Sequence, residues 1–332
     1  MDFEREKLFN LIKQRLPSNI SFIGEIADIL DISYDATYRR LNGKTALSFA
    51  EAIKLAKYFK ISLNSLYSIQ EEENLFVLKR SNNNSLKGLT TYFDVITKST
   101  DLFTKFKSPS IIYAAKDIPL YYLPENTLYT KFKLLIFSSV HTDDELKHKI
   151  KLKDFTPTEC LIRSVNDFNS VFKNTITTEI WNDTTINGTL YQIYYFYELK
   201  LLNKNEAIQL CYELEEIIRK IEYQAIHGIK KGNSSKKYNL YYNRLINLNN
   251  TVFLKSEKLK TLIIPYTALS YLRIDDEQTC EEIELYLQKQ LQFSIHLSGD
   301  TEVERQLFFS TMYEKIEQLK EQITIKSKIS FM

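Results

Sequence analysis

At 332 residues the chain is too long for one ordinary domain and is expected to divide into two or three units. Its 44% hydrophobic and 26% charged residues exclude a disordered chain, and a formal charge of +2 is too small to make the whole molecule a polyanion binder. Three dispersed cysteines, Cys160, Cys211 and Cys280, form no CxxC pair, which argues against a disulfide framework or a zinc site and fits a reducing, cytoplasmic location.

In chain order, residues 2–16 read as an amphipathic helix with Phe3, Leu8, Leu11, Ile12 and Leu16 toward one side, stopped at Pro17-Ser18-Asn19. The charged opening MDFEREKLFN is not a leader sequence, so none is expected. Four short helices follow, each announced by a serine. Ser21 caps a helix carrying Ile26, Ala27 and Leu30; Ser33 caps the next, which Gly43 ends; Ser48 with Glu51 forms a capping box; Ser62 starts the last, with Leu63 and Leu66. Acidic 71–74 and polar 81–85 then mark a linker over 70–85, with a short strand candidate LFVL inside it.

Beyond the linker, Leu86, Leu89, Phe93, Ile96 and Phe103 recur at helical steps, as a core helix or else a dimer seam. SIIYAA (110–115) and PLYYL (119–123) are strand candidates bounded by Pro109 and Pro119. From about 128 to 228 the pattern is mainly helical, with breaks near Pro157, 182–188 and 203–205. The patch HTDDELKH (141–148) joins His to acids but reads as a solvated loop and helix start. The run 226–239, rich in Gly, Ser and Lys, reads as a mobile loop whose four lysines are able to touch phosphate. Strands follow at 251–255, 261–265 and 293–297, with helices at about 276–292 and 301–324. The most apolar run, 261–272, is short and holds Pro265, so no membrane span is expected.

Charge is distributed unevenly. Residues 1–69 hold 10 basic and 8 acidic side chains, leaving 34 of each in the remainder. Within 36–60 six basic residues (Arg39, Arg40, Lys44, Lys54, Lys57, Lys60) face one acid, Glu51. A basic face on a neutral body is the footprint of a nucleic-acid-binding module on a larger unit.

The segments EIADILDIS (25–33), YDATYRRLNGKT (34–45) and SFAEAIKLAKYFKISLNSLY (48–67) together resemble the phage-repressor, Cro-like, xenobiotic-response-element family of helix-turn-helix proteins. The resemblance puts small Ala27 where two helices cross, Ile32 as the plug of the turn, and Asn42-Gly43-Lys44 at the end of the recognition helix. It departs at Asp31, where the family has Gly, and at Thr37, where an aliphatic core residue is customary. Asp is among the residues that tolerate a left-handed backbone.

The resemblance implies that helix 33–42 enters the major groove with its N-terminal end toward the bases. Ser33, Tyr34, Asp35, Tyr38 and Arg39 are then the base-contacting candidates, with Arg39 the first choice for a bidentate contact to guanine. Arg40, Asn42 and Lys44 are the phosphate candidates, unless one arginine pairs with Glu25, Asp28 or Glu51. Such modules act as dimers on palindromic half-sites, so double-stranded DNA and a second copy of the chain are the expected partners.

Elsewhere the glycines make no phosphate-cradling loop, and the four histidines lack metal-ligand spacing, so no catalytic site, metal or cofactor is expected. Trp181, Tyr191, Tyr194 and Tyr195 are candidate walls of a ligand or peptide pocket, with core packing the competing reading. The expectation is an α+β protein: a five-helix DNA-binding domain at 1–69, a linker at 70–85, and a mostly helical body with a few strands at 86–332, with a sub-boundary near 228–240. The body is read as dimerising and responding to a small molecule, peptide or protein. Rival readings are a peptide-pheromone-type regulator with a helical-repeat body, a DNA-tethered enzyme, and a head used for protein contacts.

Overall fold

The computed structural model describes residues 2–17, 20–59, 61, 63, 77–79, 86–140, 150–245, 249–265 and 270–329. Four helices form the N-terminal head: α1 (Asp2–Arg15), α2 (Phe22–Leu30), α3 (Tyr34–Leu41) and α4 (Phe49–Tyr58). The serine caps at their starts are formed. The hydroxyls of Ser21, Ser33 and Ser48 accept from the amides of Gly24, Ala36 and Glu51, and Glu51 Oε2 in turn accepts from Ser48 N at 2.8 Å. Each satisfies amide groups that the first helical turn leaves unpaired. The apolar sides meet in one small core built on Leu8, Ile12, Ile26, Leu30 and Leu55. The helix expected from Ser62 lies outside the described residues, as does 141–148.

The rest of the chain is built on a mixed sheet. Its strands are β1 (Val77–Lys79), β2 (Ser110–Ala114), β3 (Ile176–Trp181), β4 (Ile229–Lys230), β5 (Asn233–Tyr242), β6 (Thr251–Lys255), β7 (Lys260–Pro265), β8 (Tyr271–Ile274) and β9 (Ile295–His296). They run in the order β1-β8-β7-β6-β2-β3-β5-β4, with β9 also on β5. β2, β3 and β5 are mutually parallel and the other pairings antiparallel. The parallel strands are joined by helical crossovers, as parallel pairs require: α6 (Leu128–Val140) and α7 (Glu159–Lys173) between β2 and β3, α8 (Asn187–Glu198) and α9 (Lys204–His227) between β3 and β5.

Side chains alternate across the sheet, so each strand serves two cores. Ile111, Trp181, Leu240 and Leu254 face the large core shared with α5 (Leu86–Thr104), α6 to α9 and α11 (Glu302–Ile329). Ala114, Ile180, Phe253 and Leu262 face the other side, covered by Cys280 and Leu287 of α10 (Glu277–Gln292). The α5 stripe, with Leu89, Phe93 and Ile96 buried, is core. Lys258, between β6 and β7, donates to Leu16 O at 3.5 Å, so the body touches the end of α1. Among the described residues no helix is long and apolar enough to cross a membrane.

The α+β expectation holds, with a larger sheet than the strand candidates suggested. The segment 226–239 is not a loop but the end of α9 followed by the β4–β5 hairpin, turned at Gly232 with φ +92°. Its polar composition reflects the exposed start of β5; Tyr238 and Leu240 are buried further along the same strand. PLYYL is not a strand but a turn of 3-10 helix at Leu120–Tyr122. A strand would send Tyr121 and Tyr122 to opposite faces, whereas both hydroxyls donate to Glu179 Oε1 at 2.7 Å.

Candidate nucleic-acid interface

The α2–α3 pair is joined by three residues, Asp31 to Ser33. Asp31 ends α2 in the left-handed region, φ 58° and ψ 50°, and the Ile32 amide reaches back to Ala27 O at 3.1 Å. This is the helix-ending geometry that glycine usually supplies, so the sequence departure at Asp31 keeps the turn. Ala27 is buried beneath it and Ile32 packs on the head core. Thr37, fully buried on the rear of α3, satisfies its hydroxyl on Ser33 O at 3.2 Å. A threonine in a core position costs little when its oxygen has a helical carbonyl to bond.

The outer side of α3 carries the candidates. Ser33, Asp35, Arg39 and Lys44 are exposed, and Tyr34 and Tyr38 are 56% and 51% exposed. Among the described residues the Arg39 guanidinium has no hydrogen-bond or ion-pair partner. Ser33 is committed as the helix cap. The Asn42 amide donates to Tyr38 O at 3.0 Å, fixing the helix end. At Gly43, φ +70°, a Cβ would collide with the Arg5 guanidinium, which lies against this turn.

Arg40 is placed differently from the phosphate role expected of it. Its Nε and Nη2 meet Glu51 Oε1 at 3.0 and 2.9 Å, and Nη1 bonds Ala36 O at 3.1 Å. Burial pushes the Glu51 carboxyl up, but the bonds from Arg40 and Ser48 outweigh it and hold the group below its ordinary value. The reason is rotational: Arg40 follows Arg39 by about 100° around the helix, and faces α4 where Arg39 faces outward. The two arginines thus split between an internal brace and an open cation. Sequence reasoning missed Phe49, 76% exposed at the first position of α4 beside this brace; a large apolar residue directly after the Ser48 cap was the available signal.

The aromatic pocket expected in the body is not formed. Trp181 ends β3 fully buried, while Tyr191 and Tyr195, four apart on α8, point outward at 72% and 51% exposure. Tyr194, one residue before Tyr195, turns to the core instead. One helical face cannot be both outside the molecule and beside a sealed tryptophan.

Trp181 belongs to a polar cluster that sequence reasoning did not find. Buried Glu179 accepts from Tyr121 and Tyr122 at Oε1 and from Tyr238 (3.1 Å) and Trp181 Nε1 (2.8 Å) at Oε2. Gln224 Nε2 supports Tyr122 OH at 3.1 Å. Burial pushes the Glu179 carboxyl up, opposed by the tyrosine hydroxyls and by Lys230. Buried Lys230, whose ammonium bonds Phe172 O, is brought down to about 7 by burial, against the pull of Glu179. A glutamate inside the apolar strand ITTEIW was the only hint.

Comparison with known proteins bears on the head. Residues 7–77 match the BetR domain model, a helix-turn-helix-type DNA-binding domain family. The match takes in most of α1 and all of α2 to α4 and reaches the start of β1, and it supports a DNA-binding regulatory role for the chain. No curated protein and no solved structure matches the chain.

Proposed function

We propose that the chain is a sequence-specific transcription regulator of the Cro-like kind, reading the major groove with the helix at 33–42. The observation that carries this reading is the division of α3: a rear sealed by Thr37 against the head, and an outer side presenting Tyr34, Asp35, Tyr38 and Arg39 to solvent. A helix N-terminal end with open polar and aromatic side chains suits base edges, and Arg39 suits a bidentate bond to guanine. Lys44 and the exposed Lys54 and Lys57 suit phosphates, which fix register. In this reading Arg40 stiffens α3 rather than gripping the backbone.

The proposal assigns residues 1–69 to DNA reading, 70–85 to the linker, whose strand β1 joins the edge of the body's sheet, and 86–332 to dimerisation and effector response without catalysis. One helix reads few base pairs, so a homodimer on paired half-sites gives the affinity a regulator needs. The mixed sheet disfavours the helical-repeat pheromone-receptor alternative. Selection of duplexes from a random pool by the full chain tests the reading: a symmetric enriched site supports it, and recovery of an unenriched pool rejects it.

A further inference from the structure

A cleft of about 400 Å³ opens between the C-terminal end of α9 and the β4–β5 hairpin, lined by Tyr223, Lys230, Lys231, Gly232, Ser234 and Ser235 among others. Two lysines, Lys230 and Lys231, line it, and Lys173, Lys220 and Lys236 add to the positive field there. Lys230 lies in its floor and Lys231 at its rim, its ammonium 5.3 Å above the Tyr223 ring. Half-buried Lys220 carries like-charge repulsion from Lys173 and Lys231, and Lys230 feels Lys220 and Lys236. Among the described residues no carboxylate is within ion-pair distance of Lys173, Lys220, Lys231 or Lys236. The acid acting on the cluster from below, Glu179, already has four donors on its two oxygens.

The frame of the cleft is fixed. Asn233 Nδ2 bonds Asn174 Oδ1 at 3.0 Å and Lys173 O at 3.4 Å, tying the hairpin to the end of α7. The Lys231 amide bonds Gln224 Oε1 at 3.1 Å, tying it to α9. Tyr223 stacks on His227 with centroids 4.0 Å apart, giving one wall a flat apolar surface. Lysines gathered without counter-ions raise the energy of the empty site, and a multiply charged anion relieves that repulsion. A cleft of this volume matches the size of small-molecule sites.

We propose that this cleft binds the phosphate group of a small soluble molecule, held by Lys231 with the Ser234 hydroxyl in the positive field of Lys220. As a phosphate site it stands apart from the DNA-reading head; as an effector site it rests on the regulatory reading. The test is calorimetric titration of the full chain with inorganic pyrophosphate at low ionic strength. Saturable one-to-one binding is expected, weakened about tenfold or more by Lys220→Gln with Lys231→Gln, since a hydrogen bond to a charged group contributes on the order of a factor of ten. Ser234→Glu, at an exposed position, is expected to abolish it, while Lys289→Gln on α10 leaves it intact. Absence of saturable binding, or binding equal in all variants, overturns the site. Loss of duplex affinity in the lysine variant without any pyrophosphate binding also overturns it, and assigns these lysines to the DNA backbone.

Discussion

Replacing Arg40 with alanine distinguishes an internal brace from a phosphate ligand. Both Arg40 and Glu51 side chains are about one-fifth exposed, and three bonds join Arg40 to Glu51 and Ala36. Fully exposed pairs contribute ~0.2–1 kcal/mol, and a hydrogen bond to a charged group ~1.5–3 kcal/mol. A partly covered pair whose acid also closes the α4 capping box lies between them, at about 1–2 kcal/mol. That corresponds to roughly 5–30-fold faster amide hydrogen exchange across α3 and α4 of the full chain, where exchange proceeds by local opening. Glu51→Gln and the double variant complete a cycle, with a coupling of about 1 kcal/mol expected. The salt dependence of DNA binding is expected to stay as it was, because only a lost phosphate contact lowers the slope, by about 0.9. Unchanged exchange together with a slope lowered by about one would refute the brace. The pH sense is also fixed: a carboxyl held low in the fold stabilises above its unfolded value, so protection of α3 and α4 falls as pH drops through the folded value.

Three further outcomes follow from the same contacts. Glu179→Ala strands the Tyr121 hydroxyl and the Trp181 indole N–H, while Tyr122 and Tyr238 keep each other, and at ~1–3 kcal/mol for each orphaned group a loss of about 2 kcal/mol or more is expected in urea unfolding followed by Trp181 fluorescence. Lys230 falls from an ordinary 10.5 to about 7 in the fold, so the unfolded chain binds the extra proton between those values and stability rises with pH across that window; Lys230→Met should flatten that rise in unfolding measured at pH 7 to 10. Asp31→Gly removes the left-handed strain at φ 58°, worth about 1 kcal/mol, and is expected to slow exchange of the α2 amides; faster exchange would mean that the Asp side chain contributes to the turn.

The head was largely legible in the sequence because its signals are local. Ser21, Ser33 and Ser48 each act on amides three residues away, and Asp31 and Gly43 needed only their own backbone angles to be recognised. The Arg40–Glu51 brace was one of the pairings that sequence left open, since the rotation of two neighbouring arginines about α3 depends on where α4 packs. The body was less legible because its sheet is assembled from distant segments. β3 pairs with β2 and β5 some 60 residues away on either side, and ITTEIW carries a glutamate whose four partners come from two other places in the chain and from its own strand. The β4–β5 hairpin was hidden for a different reason, its exposed half being as polar as a loop.

The central claim, that α3 reads base edges through Arg39, is tested most directly by anisotropy titrations of the full chain on its selected duplex and on a scrambled one. Wild-type protein is expected to prefer the selected site, and Arg39→Ala to lose about 1–3 kcal/mol of that preference while keeping its affinity for scrambled DNA. A preference unchanged by Arg39→Ala, or equal weakening on both duplexes, would contradict the account.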